Sequence, residues 1–333
     1  MHILVTGGAG YIGSHVVKQL LETTSHDVTV LDNLSSGYLK TLDSLRAIDP
    51  RLKVIEADLS EWEHIAQIIS SGDYTAVIHF AANIVVPESV SNPLKYYLNN
   101  TANTIHLIHQ CEKNGINRFI FSSTAAVYGE PAPEMIPIKE ITPLVPINPY
   151  GNSKLMSETV LRDASSANPM FKHVILRYFN VAGADLKNRI GECHEPETHL
   201  VPLIAKAALG IRESIFVYGD DYDTPDGTCI RDYIHVEDLA AAHLCSLDYL
   251  EEHPSDVFNC GYGHGYSVQE VIETMKKVCS HDFKVEIKER RPGDSAVLVA
   301  DNAKILKKLG WQPQYNDLNL ICATAFAWEK EKI

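Results

Sequence analysis

Met1-His-Ile-Leu-Val-Thr-Gly7-Gly-Ala-Gly10-Tyr-Ile-Gly13-Ser14 opens the chain and decides how the rest is read. Ile3, Leu4 and Val5 form a short apolar run suited to a buried strand. Gly7, Gly10 and Gly13 follow, and a helical pattern begins at Tyr11. A strand, a glycine turn and a helix in this order suit a dinucleotide. Gly7 allows the tight turn, Gly10 admits a pyrophosphate close to the backbone, and Gly13 lets helix and strand pack closely. The helix N-terminus then offers N–H groups to the anion. A second strand, Asp27-Val-Thr-Val-Leu-Asp32, ends in an acid 19 residues after Gly13. A carboxylate there is placed for the adenosine ribose hydroxyls and repels a 2′-phosphate, which favours NAD over NADP.

Outward from this start, strand-like runs at 2–6, 27–32, 52–56, 75–80 and 118–122 alternate with helical patterns near 11–24, 36–48, 60–70 and 92–114. The alternation predicts an α/β fold: a Rossmann-type, doubly wound parallel sheet. Ligands in such sheets lie at the carboxyl ends of strands. Those ends carry Asp58-Leu59, then Phe80-Ala81-Ala82-Asn83, then Ser122-Ser-Thr124-Ala-Ala-Val-Tyr-Gly129. Six prolines in 130–149 exclude regular helix. A helix from Tyr150 to about Ala167 follows. Tyr150 and Lys154 project from one face of it, one turn apart. A nearby ammonium favours phenolate, so Tyr150 is a candidate base for a substrate hydroxyl, with Thr124 to hold the same oxygen.

After a strand at 173–178 the composition changes. Residues 184–198 are polar and irregular. We place a first domain at 1–180 and a smaller α/β substrate region at 181–333, with part of 231–263 packing back on the first. The second region should hold a helix at 200–209, a short strand at 215–218 and a helix near 267–278. Arg231 and the arginines at 290–291 are candidates to grip a diphosphate. The acidic loop 220–227 lacks calcium-loop spacing. Cys193, His194 and His199 lack the ligand spacing of a structural zinc site, so no metal is expected.

Composition sets the outer limits. The chain has 333 residues and a net charge of −14, which argues against a nucleic-acid partner. Seven scattered cysteines read as reduced thiols of a cytoplasmic protein. No apolar run reaches membrane-spanning length, and the apolar start has no basic region before it, so neither a membrane partner nor a signal peptide is expected.

Together, Gly7–Gly13, Asp32-Asn33, Ser122–Gly129, Tyr150-x-x-x-Lys154, Arg177-Tyr-Phe-Asn180, Arg231-Asp-Tyr-Ile-His-Val236 and Arg291-Pro-Gly-Asp294 resemble the extended short-chain dehydrogenase/reductase family. The second-half motifs are similar to its nucleotide-sugar 4-epimerases. The resemblance implies a tightly held NAD, a UDP-hexose substrate inverted at C4 through a 4-keto sugar, and a homodimer packed through helices like 92–114 and 150–167. It implies catalytic roles for Tyr150, Lys154 and Thr124. Cofactor contacts would fall on Gly7, Gly10, Tyr11, Ile12, Gly13, Asp32, Asn33, Asp58, Leu59, Phe80, Ala81, Ala82, Asn99, Ser122, Tyr150, Lys154 and Tyr178. Substrate contacts would fall on Thr124, Tyr150, Phe179, Asn180, His199, Leu200, Phe216, Tyr218, Arg231, Arg291, Asp294 and Leu298.

Three positions depart from the family pattern. Ile84 stands where some members have a lysine beside the cofactor, and His199 where some have asparagine. Leu298 stands where some have tyrosine beside the hexose, which leaves room for a 2-N-acetyl group. A UDP-pentose or uronate is a rival substrate. A 4,6-dehydratase would need an acid pair after Thr124, where this chain has Ala125 and Ala126. A non-catalytic NAD-binding redox regulator would need no Tyr150, Lys154 and Thr124 together.

Overall fold

A computed structural model describes residues 1–291 and 294–332. It divides into two compact units. The first comprises Met1–Gly129, Leu144–Arg177 and Ala240–Phe258, and the second comprises Glu130–Pro143, Tyr178–Leu239 and Asn259–Ile333. Residues 130–143 group with the second unit, and 240–258 with the first.

In chain order the first elements are β1 (His2–Thr6), α1 (Tyr11–Thr23), β2 (Asp27–Asp32), α2 (Leu39–Ile48), β3 (Lys53–Glu56), α3 (Trp62–Ser71), β4 (Ala76–His79), α4 (Val86–Ser91), α5 (Pro93–Tyr96), α6 (Asn103–Lys113), β5 (Arg118–Thr124), α7 (Pro149–Ala167) and β6 (Lys172–Tyr178). There follow β7 (Asn180–Ala182), α8 (Leu200–Ala208), β8 (Ile215–Tyr218), β9 (Ile230–Arg231), β10 (Tyr233–His235), α9 (Val236–Glu252), β11 (Asp256–Cys260), β12 (Tyr266–Ser267), α10 (Val268–Cys279), β13 (Val285–Lys288), β14 (Val297–Leu298), α11 (Ala303–Lys308) and α12 (Leu318–Glu331).

Seven strands form one sheet in the order β11-β6-β5-β4-β1-β2-β3. β1 lies parallel between β2 and β4, with Leu4 opposite Thr29 on one side and Val77 on the other. Ile3, Leu4 and Val5 are fully buried, as a strand covered on both faces requires. One layer of the core joins Leu4, Leu31 and Val77 of the sheet to Ile65 and Ile69 of α3, Leu107 of α6 and Leu161 of α7. Each such side chain contributes about 1.5–3 kcal/mol by leaving water.

The helix expected over 92–114 is not continuous. α4 and α5 precede a π-turn, Tyr97–Ala102, and α6 begins only at Asn103. Asn100 accounts for the interruption. Its side chain accepts from Asn83 N (2.8 Å) and donates to Asn83 O (2.9 Å) and Ser153 Oγ (3.1 Å). Its carbonyl accepts the hydroxyls of Thr104 and Ser157. A wider turn thus fastens the loop after β4 and α7 to one residue.

In the second unit α8, α10 and α12 pack together, and β7 pairs parallel with β10. Two buried carboxylates knit its loops. Asp232 accepts from the amides of Tyr262 (2.8 Å), Gly263 (3.0 Å) and Ala300 (3.2 Å). Asp238 accepts from the Tyr262 hydroxyl (2.6 Å) and from the amides of Gln314 and Tyr315 (2.8 Å each). Among the described residues no helix is long and apolar enough to cross a membrane.

Candidate functional site

The glycine turn is built as the spacing requires. Gly7 has φ +75, and a Cβ there would meet Ala81 N at 2.6 Å; a Cβ on Gly13 would meet Gly7 O at 2.2 Å. Both positions must be glycine for β1, the turn and α1 to close on one another. Gly10 caps α1 with no side-chain bond, which leaves the helix start open to an anion. Tyr11 is buried and Ile12 half-buried. Asp32, also buried, accepts from Ala9 N and Leu34 N, both at 2.9 Å, so the second strand's acid is fixed against the turn. Burial pushes its carboxyl up while the two amides work the other way. Asn33 donates to Asp58 (2.6 Å). Ser60 bonds hold the Asp58 carboxyl below its usual range, with Asn33 adding to the effect. Leu59 sends its side chain into the core, so only its backbone is available to a ligand. Phe80 packs its ring 4.8 Å from His243, and Ala81 and Ala82 are half-buried beside it. Asn99 lies in the π-turn and donates to Asn100. An uncapped helix start over a cradle that any Cβ would fill fits a bound dinucleotide.

The hydroxyl run at the end of β5 splits three ways. Ser122 O accepts from Lys154 Nζ (2.8 Å). Ser123 donates to Glu158 (2.5 Å), deep in the core. Thr124 accepts from Ala126 N (3.1 Å) and lies near enough to Tyr150 to act on its phenol. Pro149 starts α7 and the Asn148 side chain accepts from Gly151 N (2.8 Å), so Tyr150 sits in a capped first turn. Burial pushes the Tyr150 phenol above its ordinary value, and the Thr124 bond opposes this. Lys154 is buried, its ammonium 5.0 Å from the centre of the Phe121 ring. Burial lowers it to about 7, against the pull of Glu158. In this state burial, not the lysine, sets the direction of the tyrosine's shift.

Behind the pair lies a network that the sequence reading passed over. Glu158 receives Arg177 through two nitrogens (3.0 and 2.6 Å), and Arg177 also reaches the Tyr128 hydroxyl (2.8 Å). Glu158 is one helical turn beyond Lys154, a spacing that could have flagged it. His79, buried between Thr6 (2.6 Å) and Thr104 (2.8 Å), is driven down to about 3 by burial, with Lys154 adding to the effect, and stays neutral.

The second unit places the remaining candidates. Tyr178 and Phe179 are buried, and Phe179 N donates to Cys260 O (3.2 Å). Asn180 is exposed on β7. Arg231 is ion-paired with Asp294 (2.5 Å), and Leu298 stands opposite it on β14. Arg291 stacks over the Tyr218 ring at 3.7 Å, and Phe216 lies 6.4 Å from that ring. Pro292 and Gly293 of the same motif lie outside the described residues. Arg290 is drawn away to Asp221 (2.6 Å) and anchors the acidic loop. His199 caps α8 just before Leu200, and its ring meets Glu192. Burial works to lower His199, but Glu192 raises it to about 9.

The model of the NAD dependent epimerase/dehydratase family matches residues 3–261. The chain is 48% identical to the UDP-glucose 4-epimerase of Azospirillum brasilense, over 98% of this chain and 92% of that one. It resembles the solved structure of the UDP-Glc/GlcNAc 4-epimerase of Campylobacter jejuni at 55% identity and TM-score 0.88, covering 99% of each chain. It resembles the UDP-glucose 4-epimerase of Bifidobacterium longum in complex with NAD+ and UDP at 40% identity and TM-score 0.94, covering 99% of this chain and 98% of that one. A glycine cradle shut by its own backbone, a Tyr-x-x-x-Lys helix start beside Thr124, and matches over nearly the whole length lead to one conclusion: the chain belongs to the NAD-dependent epimerase/dehydratase family.

Proposed function

We propose that the chain inverts C4 of a UDP-hexose with a resident NAD, interconverting UDP-glucose and UDP-galactose. The observation that carries this reading is Thr124, near enough to Tyr150 to pull its phenol down, at the head of a helix that buries Lys154 one turn later. The turn Gly7–Gly13 and the α1 start hold the pyrophosphate, Asp32 faces the adenosine ribose, and Ser122 and Lys154 border the nicotinamide half. When bound, NAD accepts a hydride from the sugar and returns it. Tyr150 takes the proton of the 4-hydroxyl and gives it back, Thr124 holds the same oxygen, and Lys154 steadies the phenolate. Arg231 and Arg291 bind the UDP diphosphate together with Asn180, His199 and Leu200. Their partners Asp294 and Tyr218 restrict both arginines before substrate arrives, which lowers the ordering cost of binding.

A second reading concerns the sugar. Leu298 is half-buried and smaller than tyrosine, and the 55%-identical Campylobacter jejuni protein is a UDP-Glc/GlcNAc epimerase. We infer that this chain also accepts UDP-GlcNAc and UDP-GalNAc. We further propose a homodimer. Leu94 of α5, Leu98 of the π-turn, Ile105 of α6 and Met156 of α7 expose 70%, 66%, 43% and 47% of their surface, apolar surface that a second copy would cover.

Purified protein given UDP-galactose, and separately UDP-GalNAc, with no nucleotide added, tests the reading. Formation of UDP-glucose and UDP-GlcNAc is expected. Conversion of the first alone would remove the N-acetyl reading, and conversion of neither would remove both.

A further inference from the structure

Between β7 and α8 the second unit gathers Glu192, His194, Glu197 and His199, one ligand atom of each lying within 4.8 Å of all the others. His194 Nδ1 lies 2.9 Å from Glu192 Oε1, and His199 Nδ1 contacts the same oxygen. His199 Nδ1 is 3.6 Å from Glu197 Oε1. The two carboxylate side chains are only 4% and 2% exposed. Glu197 Oε2 is buried and, among the described residues, has no hydrogen-bond partner. Two carboxylates this close repel each other, and a buried carboxylate oxygen without a donor loses its hydration for nothing in return. A divalent cation removes both costs.

We propose that these four side chains bind one divalent transition-metal ion of the zinc class. Two imidazole nitrogens and two carboxylate oxygens make a four-coordinate shell of the kind zinc prefers, whereas magnesium and calcium take oxygen alone. Once the ion displaces the proton that Glu192 holds on His199, two carboxylates and two neutral imidazoles balance its double positive charge. Supporting bonds fix the donors, as metal sites require. The Glu192 carbonyl accepts from Trp328 Nε1 (2.8 Å) and Lys332 Nζ (3.0 Å), and Glu197 Oε1 accepts from the amides of Thr198 (2.8 Å) and His199 (2.9 Å). Cys193, which lies between the first two ligands in sequence, is not one of them. A zinc-finger spacing rule therefore misses the cluster, because half of its donors are carboxylates. His199 immediately precedes α8, so the ion ties the 192–199 segment to that helix. Its role is to fix this segment and to position His199, which the proposed function sets beside the UDP diphosphate, and it does not depend on which sugar the protein takes.

Metal titration of tag-free protein, stripped with a chelator, tests the site. Zinc should bind with one-to-one stoichiometry and raise the melting temperature. Cobalt should give the visible bands of a four-coordinate N/O site. His194→Ala and Glu197→Gln, each checked for native circular dichroism and retained nucleotide, should weaken zinc binding by about tenfold or more and abolish the cobalt bands. Absence of stoichiometric binding, a six-coordinate cobalt spectrum, or equal affinity in natively folded variants would overturn the site.

Discussion

Tyr150 and Lys154 occupy one helix face, and burial raises the first and lowers the second, so both are pushed toward the neutral form. Tyr150→Phe removes the oxygen that takes the 4-hydroxyl proton in the proposed reaction, so turnover should fall by at least about 10²-fold while nucleotide stays bound. Steady-state rates and the nucleotide released on denaturation check both halves; full activity would refute the assigned role. Lys154 gives a pH test. Its folded value of about 7 lies below the unfolded value of about 10.4. Between these limits the unfolded chain binds more protons, so stability rises with pH, and below pH 7 the burden of the buried charge is fully present. In nucleotide-free protein Lys154→Met should therefore be more stable at pH 6, by about 1–3 kcal/mol after allowing for the lost bond to Ser122 O. The gap should close toward pH 10. Chemical denaturation at both pH values measures it, and a less stable variant at pH 6 would contradict the account.

α7 carries two buried charges one turn apart, Lys154 toward the candidate site and Glu158 toward Arg177. Glu158→Leu leaves Arg177 buried without its counter-charge and should cost about 3–5 kcal/mol, while adding Arg177→Met should recover most of it. Denaturant midpoints of the single and double variants decide this. At the α1 start, Gly13→Ala drives a methyl to 2.2 Å from Gly7 O, so the turn must open and co-purified nucleotide should be lost. These elements were legible in the sequence because their signals are local: glycine spacing, an acid at a strand end, a Tyr-x-x-x-Lys turn. The break in the expected helix over 92–114 was not, since it depends on Asn100 meeting Asn83 and Ser153 from other parts of the chain. Nor was the division of the hydroxyl run, where Ser123 serves Glu158 and Thr124 acts on Tyr150. Nor were the carboxylates of 192–199, which lie in a polar, irregular stretch and meet two histidines only on folding.

For the whole molecule, a chain of net charge −14 holds its proposed anionic ligands by local devices, an open helix start and two restrained arginines, and not by its overall field. The exposed stripe at Leu94 and Leu98 predicts a dimer in light scattering after size exclusion, and Leu94→Glu with Leu98→Glu should shift it to monomer; a monomeric parent would dismiss the stripe as an interface. The central claim is an epimerisation that lends and recovers one hydride within a single protein. UDP-galactose labelled with deuterium at C4, incubated with purified protein and no added nucleotide, tests it most directly. The account predicts UDP-glucose that keeps its deuterium at C4 over many turnovers. Product that has exchanged the label for solvent hydrogen, or no product without added NAD, would contradict it.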